Sequence, residues 1–365
     1  MSVELKLENS ANADVRAILN NTILGTPGGI QYKQTNVNEK LDTIENTKFL
    51  CLNIRNRTIG TVSLTRRLFE HENLHPISAD YIRFLSIKGL MRDENQHKSK
   101  KPQVSKRKNS IRTKIADYLN TSEDLKGADI PSSSDYLMYA FVDSHNERSA
   151  NLVESFGFRS YRKFKTSAYN NFFAKKQEGV KRVEEGDSKK EIKRLLYKEY
   201  NGHSLYHPRL INLKKDYWVL EEDGQVIAGV KVRPTIWKIV NLPGIYGTLL
   251  QKILPRINFL SKHINPEAFR FLALEGIIVK DGYEEKFSKL LEGICYEYKT
   301  SIAMFWFDLG SPMLKRIDNI KKMGSLRKIL KFKPANLYIR GEDLSKRTDK
   351  YLKETPTYIS AYDVV

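Results

Sequence analysis

Short apolar runs alternate along this chain with segments whose apolar positions recur every third or fourth residue, which predicts strands interleaved with amphipathic helices. Val3–Leu7 alternates apolar and charged residues as a half-exposed strand does, and Asp14–Asn21 places Val15, Ile18 and Leu19 on one helical face. Gly25–Gly29 is a loop by composition, and Tyr32–Glu45 is polar with no clear period. Phe49–Ile54 and Thr58–Leu64 flank the polar turn Arg55-Asn56-Arg57 and predict an antiparallel hairpin. Tyr81–Ile87 predicts a further strand. Ile111–Leu119 predicts a helix that turns Ile111, Ile115, Tyr118 and Leu119 to one side, and Tyr136–Val142 has the length and aromatic content of a buried strand. Phe158–Phe173, rich in aromatics, supplies the last strand or strands of this half.

The order of elements then begins again. Lys175–Lys190 is charged and poor in apolar residues, as a boundary is, apart from the strand candidate Val180–Val183. Lys189–Tyr200 has helical spacing through Ile192, Leu195, Leu196 and Tyr200. Tyr217–Val232 carries Asp223-Gly224 between two strands, a strong hairpin signal. Pro234–Ile264 is helical in tone and broken by Pro243, Gly244 and Pro255, which predicts an insertion. Phe269–Val279 predicts a strand, Tyr283–Tyr298 an amphipathic helix and Ile302–Phe307 a buried strand. Ser311 and Pro312 open a helix running to Ile320, and Leu337–Ile339 is a late strand. The expected organisation is a domain over 1–175, a linker over 176–190 and a second domain over 191–365, the repeat lying in element order rather than in residues.

Asn146–Phe158 is the most informative stretch. It follows a buried strand, and Asp143, Ser144 and Asn146 can each accept from the first free amides of a helix. Ala150, Leu152, Val153 and Phe156 give that helix an apolar face, and Gly157 sits where a left-handed cap belongs. Asn146, Ser149, Leu152, Gly157 and Phe158 together resemble the fourth block of the GNAT superfamily of N-acetyltransferases, N-x-x-(S/A)-x-x-L-Y-x-x-x-G-F. The resemblance implies an α/β (α+β) fold, here two GNAT-like domains, each a mixed, mostly antiparallel sheet flanked by helices. It also implies acetyl-CoA, or another acyl-CoA, as co-substrate. The tyrosine that in such enzymes often protonates the leaving thiolate falls at Val153.

In the family the strand at Tyr81–Ile87 splays from its neighbour and pairs with the pantetheine, which points to Leu85, Ser86 and Ile87. The helix at Asn146 and Ser149 flanks the pantetheine arm. A glycine-rich loop, (Q/R)-x-x-G-x-(G/A), holds the pyrophosphate through free amides and the helix dipole. Here it aligns with Arg107, Lys108, Asn109, Ser110, Ile111 and Arg112. Ser110 and Arg112 replace the two small residues, and a side chain where glycine admits phosphate crowds the ligand unless Arg112 supplies charge instead. In the second half Lys280–Glu285 carries one glycine and three acids, so that half looks degenerate for CoA.

Sixty-two Lys and Arg against 43 Asp and Glu leave a net charge of +19, which draws anionic partners such as CoA phosphates, tRNA or other nucleic acid, and anionic lipid. Cys51 and Cys295 lie in apolar runs and read as reduced core thiols of a cytoplasmic protein. No basic N-terminal region precedes an apolar stretch, and no run reaches the length of a bilayer span. The histidines show no metal-ligand spacing, so no metal is expected. The catalytic candidates are Asp80 and Asp143, with Glu275 in the second half, as carboxylates, and Tyr139 and Tyr161 as acids. The function implied is transfer of an acyl group from acyl-CoA to the amine of a small-molecule or peptide acceptor. Two alternatives stay open: a Fem-like transferase drawing on aminoacyl-tRNA, which the charge favours, and a non-catalytic binding protein of the same fold.

Overall fold

The computed structural model describes residues 3–25, 29–71, 74–87, 111–121, 135–184, 187–207, 211, 213, 216–242, 265–327, 332–341 and 344–365. The first half contributes β1 (Glu4–Glu8), α1 (Ala13–Asn21), β2 (Gln31–Gln34), α2 (Val37–Thr43), β3 (Thr47–Ile54), β4 (Arg57–Phe69), β5 (Ile77–Ile87), α3 (Ile111–Thr121), β6 (Asp135–Val142), α4 (Glu147–Ser155) and β7 (Arg159–Asn170). The second contributes β8 (Val180–Arg182), α5 (Asp187–Tyr200), β9 (Tyr217–Glu222), β10 (Gln225–Asn241), β11 (Phe269–Val279), α6 (Glu284–Glu297), β12 (Ile302–Asp308), α7 (Pro312–Asp318), β13 (Ala335–Gly341), α8 (Lys346–Glu354) and α9 (Ala361–Val364).

All thirteen strands join one sheet in the order β1-β3-β4-β5-β6-β13-β7-β12-β11-β10-β9-β8, with β2 added to β10. The only parallel pairs among the described strands are β5 with β6 and β11 with β12. Each half therefore builds a mixed, mostly antiparallel sheet with one parallel pair at its middle. The halves exchange their last strands: β7 pairs with β12, and β13 slots between β6 and β7. The exchange is fastened by Arg162 of β7, whose guanidinium donates to both carboxylate oxygens of Asp308 on β12 at 2.9 and 2.6 Å.

The hairpins form where the sequence places them. Arg55 and Asn56 have φ of +49° and +62°, and Asp223 and Gly224 have φ of +50° and +71°. Two left-handed residues in a two-residue loop match the twist of the flanking strands. α4 begins with Asn146 Oδ1 accepting from Ser149 N at 2.9 Å and ends at Gly157, φ +85°, which costs glycine no Cβ clash. Val153 and Phe156 of this segment pack with Ile115 and Leu119 of α3 against Leu50, Val62 and Met138. In the second half α6 buries Phe287, Leu290, Leu291, Ile294 and Cys295, each apolar side chain contributing about 1.5–3 kcal/mol. Both cysteines are buried and unbridged.

Two sequence expectations change. Tyr32–Glu45 holds β2 and α2, and β2 crosses to the other half to pair with β10, a partner that no local period reveals. The stretch from Pro234, expected as helix, continues β10 to Asn241, because β11 and β2 pair with it from both sides. The strand candidate at Val180–Val183 does form, as β8, and pairs with β9, and α5 begins at Asp187. The rest of the expected insertion and the basic stretch over residues 91–108 lie outside the described residues, apart from Leu242.

Candidate functional site

Each parallel pair separates partway along. β5 and β6 are paired from Ile77 with Asp135 to Tyr81 with Tyr139, after which β5 runs on to Ile87 with no described strand on that side. β11 and β12 are paired from Leu272 with Ala303 to Leu274 with Phe305, and β11 runs on to Val279. Two V-shaped clefts result, one in each half.

Just past each point of divergence the splayed strand bulges. Thr61 pairs with Ser86 and Ser63 with Arg83, so Phe84 and Leu85 face Val62 alone. Gly229 pairs with Ile278 and Lys231 with Glu275, so Gly276 and Ile277 face Val230 alone. The bulged residues have nearly the same φ, +56° at Phe84 and +58° at Gly276. Glycine adopts that value freely, but a bulky residue does so at a cost of order 1–3 kcal/mol, the kind of strain that gathers at functional sites. A bulge re-aims main-chain amides out of the ladder.

The clefts differ in what fills them. In the second, Tyr358 Oη accepts from Gly276 N at 3.1 Å, while Tyr217 Oη donates to Gly276 O at 2.8 Å and Tyr200 Oη to Ile277 O at 2.6 Å. The bulge is thus spent on tyrosines. The remaining recess is lined by His203, Glu275, Trp306 and Ser311. Burial pushes the His203 imidazole down to about 4 and raises the Glu275 carboxyl, whose Oε2 accepts from Ser360 Oγ at 2.7 Å.

At the first cleft the neighbours are charged. Arg83, one residue before the bulge, stacks over the Phe84 ring at 4.3 Å and donates to the main-chain oxygens of Tyr362 at 2.9 Å and Val365 at 2.5 Å. Arg67 donates to both carboxylate oxygens of Asp363 and, at 2.6 Å, to Tyr139 Oη. Tyr81 Oη donates to Asp363 O at 2.7 Å. Residues 357–365 therefore run from the second cleft, where Tyr358 lies, to the edge of the first.

Leu85, Ser86 and Ile87 occupy the splayed part of β5, and Ser86 shares a hydrogen bond with Thr22 at 2.7 Å. Ile111 heads α3, and Arg112 Nε donates to Ser155 Oγ on α4 at 2.7 Å. Asn146 is engaged in capping α4 at Ser149, and Val153 lies in the core. Arg107, Lys108, Asn109 and Ser110 are outside the described residues.

Asp80 is buried, takes a two-pronged bond from Arg66 at 2.7 and 2.9 Å, and accepts from Tyr136 Oη at 2.6 Å. Tyr139 is fully buried, which raises its phenol well above the usual range. Tyr161 donates to Asp349 at 2.7 Å and is pushed up to about 12 by burial and that carboxylate. Asp143 follows β6 at the cleft mouth with a half-exposed side chain, and its Oδ1 accepts from His145 N at 2.7 Å and lies 3.1 Å from His145 Nδ1. Sequence reading passed over His145, Arg83 and Asp363. An aspartate two residues before a histidine was the available signal for the first, whereas the other two act through contacts 279 and 296 residues away.

Among the described residues no three His, Cys, Asp or Glu side chains gather as a metal site, and no described helix is long and apolar enough to cross a membrane.

No family model matches the chain, and no curated protein matches it in sequence. Solved structures do match in shape. An N-myristoyltransferase of Saccharomyces cerevisiae with bound myristoyl-CoA aligns over 98% of this chain and 85% of its own, with a TM-score of 0.56 at 10% identity. A second structure of the yeast N-myristoyltransferase with myristoyl-CoA aligns over 93% and 82%, with a TM-score of 0.51 at 10% identity. A GCN5-related N-acetyltransferase from Anabaena variabilis aligns over 92% and 72%, with a TM-score of 0.45 at 8% identity. The chain has the fold of the yeast N-myristoyltransferase, and a mostly antiparallel sheet with one parallel pair at its middle occurs in it twice.

Proposed function

We propose that this chain is a CoA-dependent N-acyltransferase that works from its first cleft. The observation that carries the reading is the contrast between two equivalent bulges. The one at Gly276 is closed by Tyr358, whereas the one at Phe84 and Leu85 keeps a strained bulky residue beside a strand edge with no described partner. An extended pantetheine arm can add to such an edge through main-chain hydrogen bonds. Amides re-aimed by the bulge stabilise an oxyanion where a thioester carbonyl is attacked. The pyrophosphate falls to the N-terminal side of α3, which in sequence follows the basic run that includes Arg107 and Lys108.

The acceptor amine must arrive neutral. Asp143, which holds His145 by its other ring nitrogen, supports that pair as the base that draws the proton off, directly or through one water. The amine nitrogen then bonds to the carbonyl carbon and gives up its extra proton to solvent, the oxyanion collapses, the C–S bond breaks, and CoA leaves as a thiolate that takes a proton from solvent. Asp80 serves the scaffold in this reading, because Arg66 and Tyr136 occupy both its oxygens.

The yeast neighbours hold myristoyl-CoA, so long acyl chains stand beside acetyl as donors. A thermal-shift screen of the intact chain with acetyl-CoA, myristoyl-CoA, free CoA and tRNA tests the reading. Saturation by an acyl-CoA at one hundred times its Kd stabilises the fold by about 2.7 kcal/mol. Stabilisation by tRNA alone, falling steeply with salt, would move the proposal to an aminoacyl-tRNA donor, which the +19 charge favours. No shift with any of them would leave a binding protein without this chemistry.

A further inference from the structure

Between the two lobes, beside the first cleft, lies a group of cations that the transfer reaction as described does not use. Lys40, on α2, is only 4% exposed. Its ammonium has three N–H donors, and one goes to Gln34 Oε1 at 3.2 Å. Burial, reinforced by the charges of Arg83 and Arg233, holds its amine well below the ordinary lysine range. The two arginines lie on either side of Tyr362: Arg83 donates to its main-chain oxygen at 2.9 Å, and the Arg233 guanidinium stacks over its ring at 4.3 Å. Among the described residues no Asp or Glu side chain forms an ion pair with any of the three. Of the nearby acids, Asp363 pairs with Arg67, and Glu275, which accepts from Ser360, lends its charge to Arg233 without an ion pair, while Arg83 is bonded to the Val365 oxygen.

A second buried donor stands unused in the same place. Trp237, on β10, is in register with Gln34 on β2, and its ring stacks on Tyr32 with centroids 3.7 Å apart. Its indole Nε1 is buried with no acceptor. Burying a cation without a counter-charge is costly, and a buried N–H without an acceptor costs about 1–3 kcal/mol. Such groups are rare in folded proteins, and a bound ion is one of the reasons a fold keeps them.

We infer that the acyl acceptor is an amine bearing an acid group, a carboxylate or a phosphate, and that Lys40 with Arg83 and Arg233 holds that acid beside the Phe84 bulge. The role as acceptor rests on the transferase reading; the capture of the anion does not. Arg83 immediately precedes the bulge, so an acid held there sets its own amine near the place assigned to the thioester. Lys40 is the donor with capacity to spare, and Arg233 adds charge from the opposite lobe.

The experiment uses three amines of one shape, alanine, alaninamide and 1-aminoethylphosphonate, with the intact chain at fixed ionic strength. Binding is measured by calorimetry without CoA, and transfer by release of free thiol from acyl-CoA. The proposal expects alanine or the phosphonate, whichever acid the site takes, to bind at least about tenfold more tightly than alaninamide, as a charge-assisted hydrogen bond provides. Lys40→Met is expected to reduce that preference to less than about twofold. Arg233→Gln, on a half-exposed residue, makes the same test should Lys40→Met fail to fold. Lys322→Met, which removes one exposed charge elsewhere, leaves the preference intact. Equal binding of all three amines to the wild type overturns the inference, and so does loss of the preference in Lys322→Met. An acid preference without any thiol release keeps the anion site and refutes the transferase reading. Thiol release with an equal rate for alaninamide does the reverse.

Discussion

Cutting Asp363 back to alanine tests what ties residues 357–365 to the first cleft. The Arg67 and Asp363 side chains are 6% and 3% exposed, and the guanidinium spends two donors on the carboxylate. In Asp363→Ala the Arg67 guanidinium stays buried with Tyr139 Oη as its remaining side-chain partner. An uncompensated buried charge of this kind costs about 3–5 kcal/mol. For a chain of this size about 2 °C of Tm goes with each kcal/mol, so the expected fall is about 6–10 °C. The main-chain bond from Tyr81 Oη to Asp363 O survives the change, so the loss reports the ion pair rather than detachment of the segment. Urea unfolding of wild type, Asp363→Ala, Arg67→Met and the double variant Arg67→Met/Asp363→Ala completes the cycle. The double variant should recover much of the loss, because removing both charges also removes their desolvation cost. A single-variant loss below about 1 kcal/mol, or a coupling energy near zero, refutes the reasoning.

Two buried groups should tilt stability with pH in opposite directions. Burial lowers His203 from 6.5 to about 4, so its contribution is complete above pH 6.5 and is lost as pH falls toward 4, by up to about 3 kcal/mol. Burial raises Glu199 from 4.5 to about 7 despite Arg316, so its contribution is present below pH 4.5 and lost as pH rises toward 7, by a similar amount. Urea midpoints should therefore rise with pH across this window in Glu199→Gln and fall in His203→Gln, with the wild type lying between them; parallel curves in all three would contradict both assignments. Tyr358→Phe removes the acceptor of Gly276 N inside the second cleft and should cost about 1–3 kcal/mol while leaving acyl-CoA affinity within twofold, read by urea unfolding and calorimetry. Asn146→Ala deletes the cap on α4 and should cost about 1 kcal/mol by the same unfolding assay.

Local signals carried most of the fold. Asp223-Gly224 announced its hairpin, and Gly157 its helix end, because in each case one backbone conformation selects the residue. Phe269–Val279 was legible to the residue, since a strand buried on both faces reads as a largely apolar run, here broken only by Arg270, Glu275 and Gly276. β2 and the outer part of β10 were not, because β2 and the end of β10 are ordered by each other across roughly two hundred residues and Pro234 speaks against a strand locally. α8 and α9 escaped notice for a similar reason: α8 is capped by Ser345, itself held by Asp135 more than two hundred residues away. Of the site, the splayed stretch at Leu85–Ile87 could be read from sequence, but the strained φ of Phe84 could not, since nothing in the letters distinguishes a phenylalanine held in the left-handed region. Lys40 reads as one more surface lysine until its burial is seen.

Hydrogen–deuterium exchange, with and without acyl-CoA, addresses the first cleft most directly. The account predicts slowed exchange at the amides of Phe84–Ile87 and no change at Gly276–Val279, where Tyr358 already occupies the bulge. Unchanged exchange at Phe84–Ile87 under saturating acyl-CoA, or protection confined to Gly276–Val279, would contradict it.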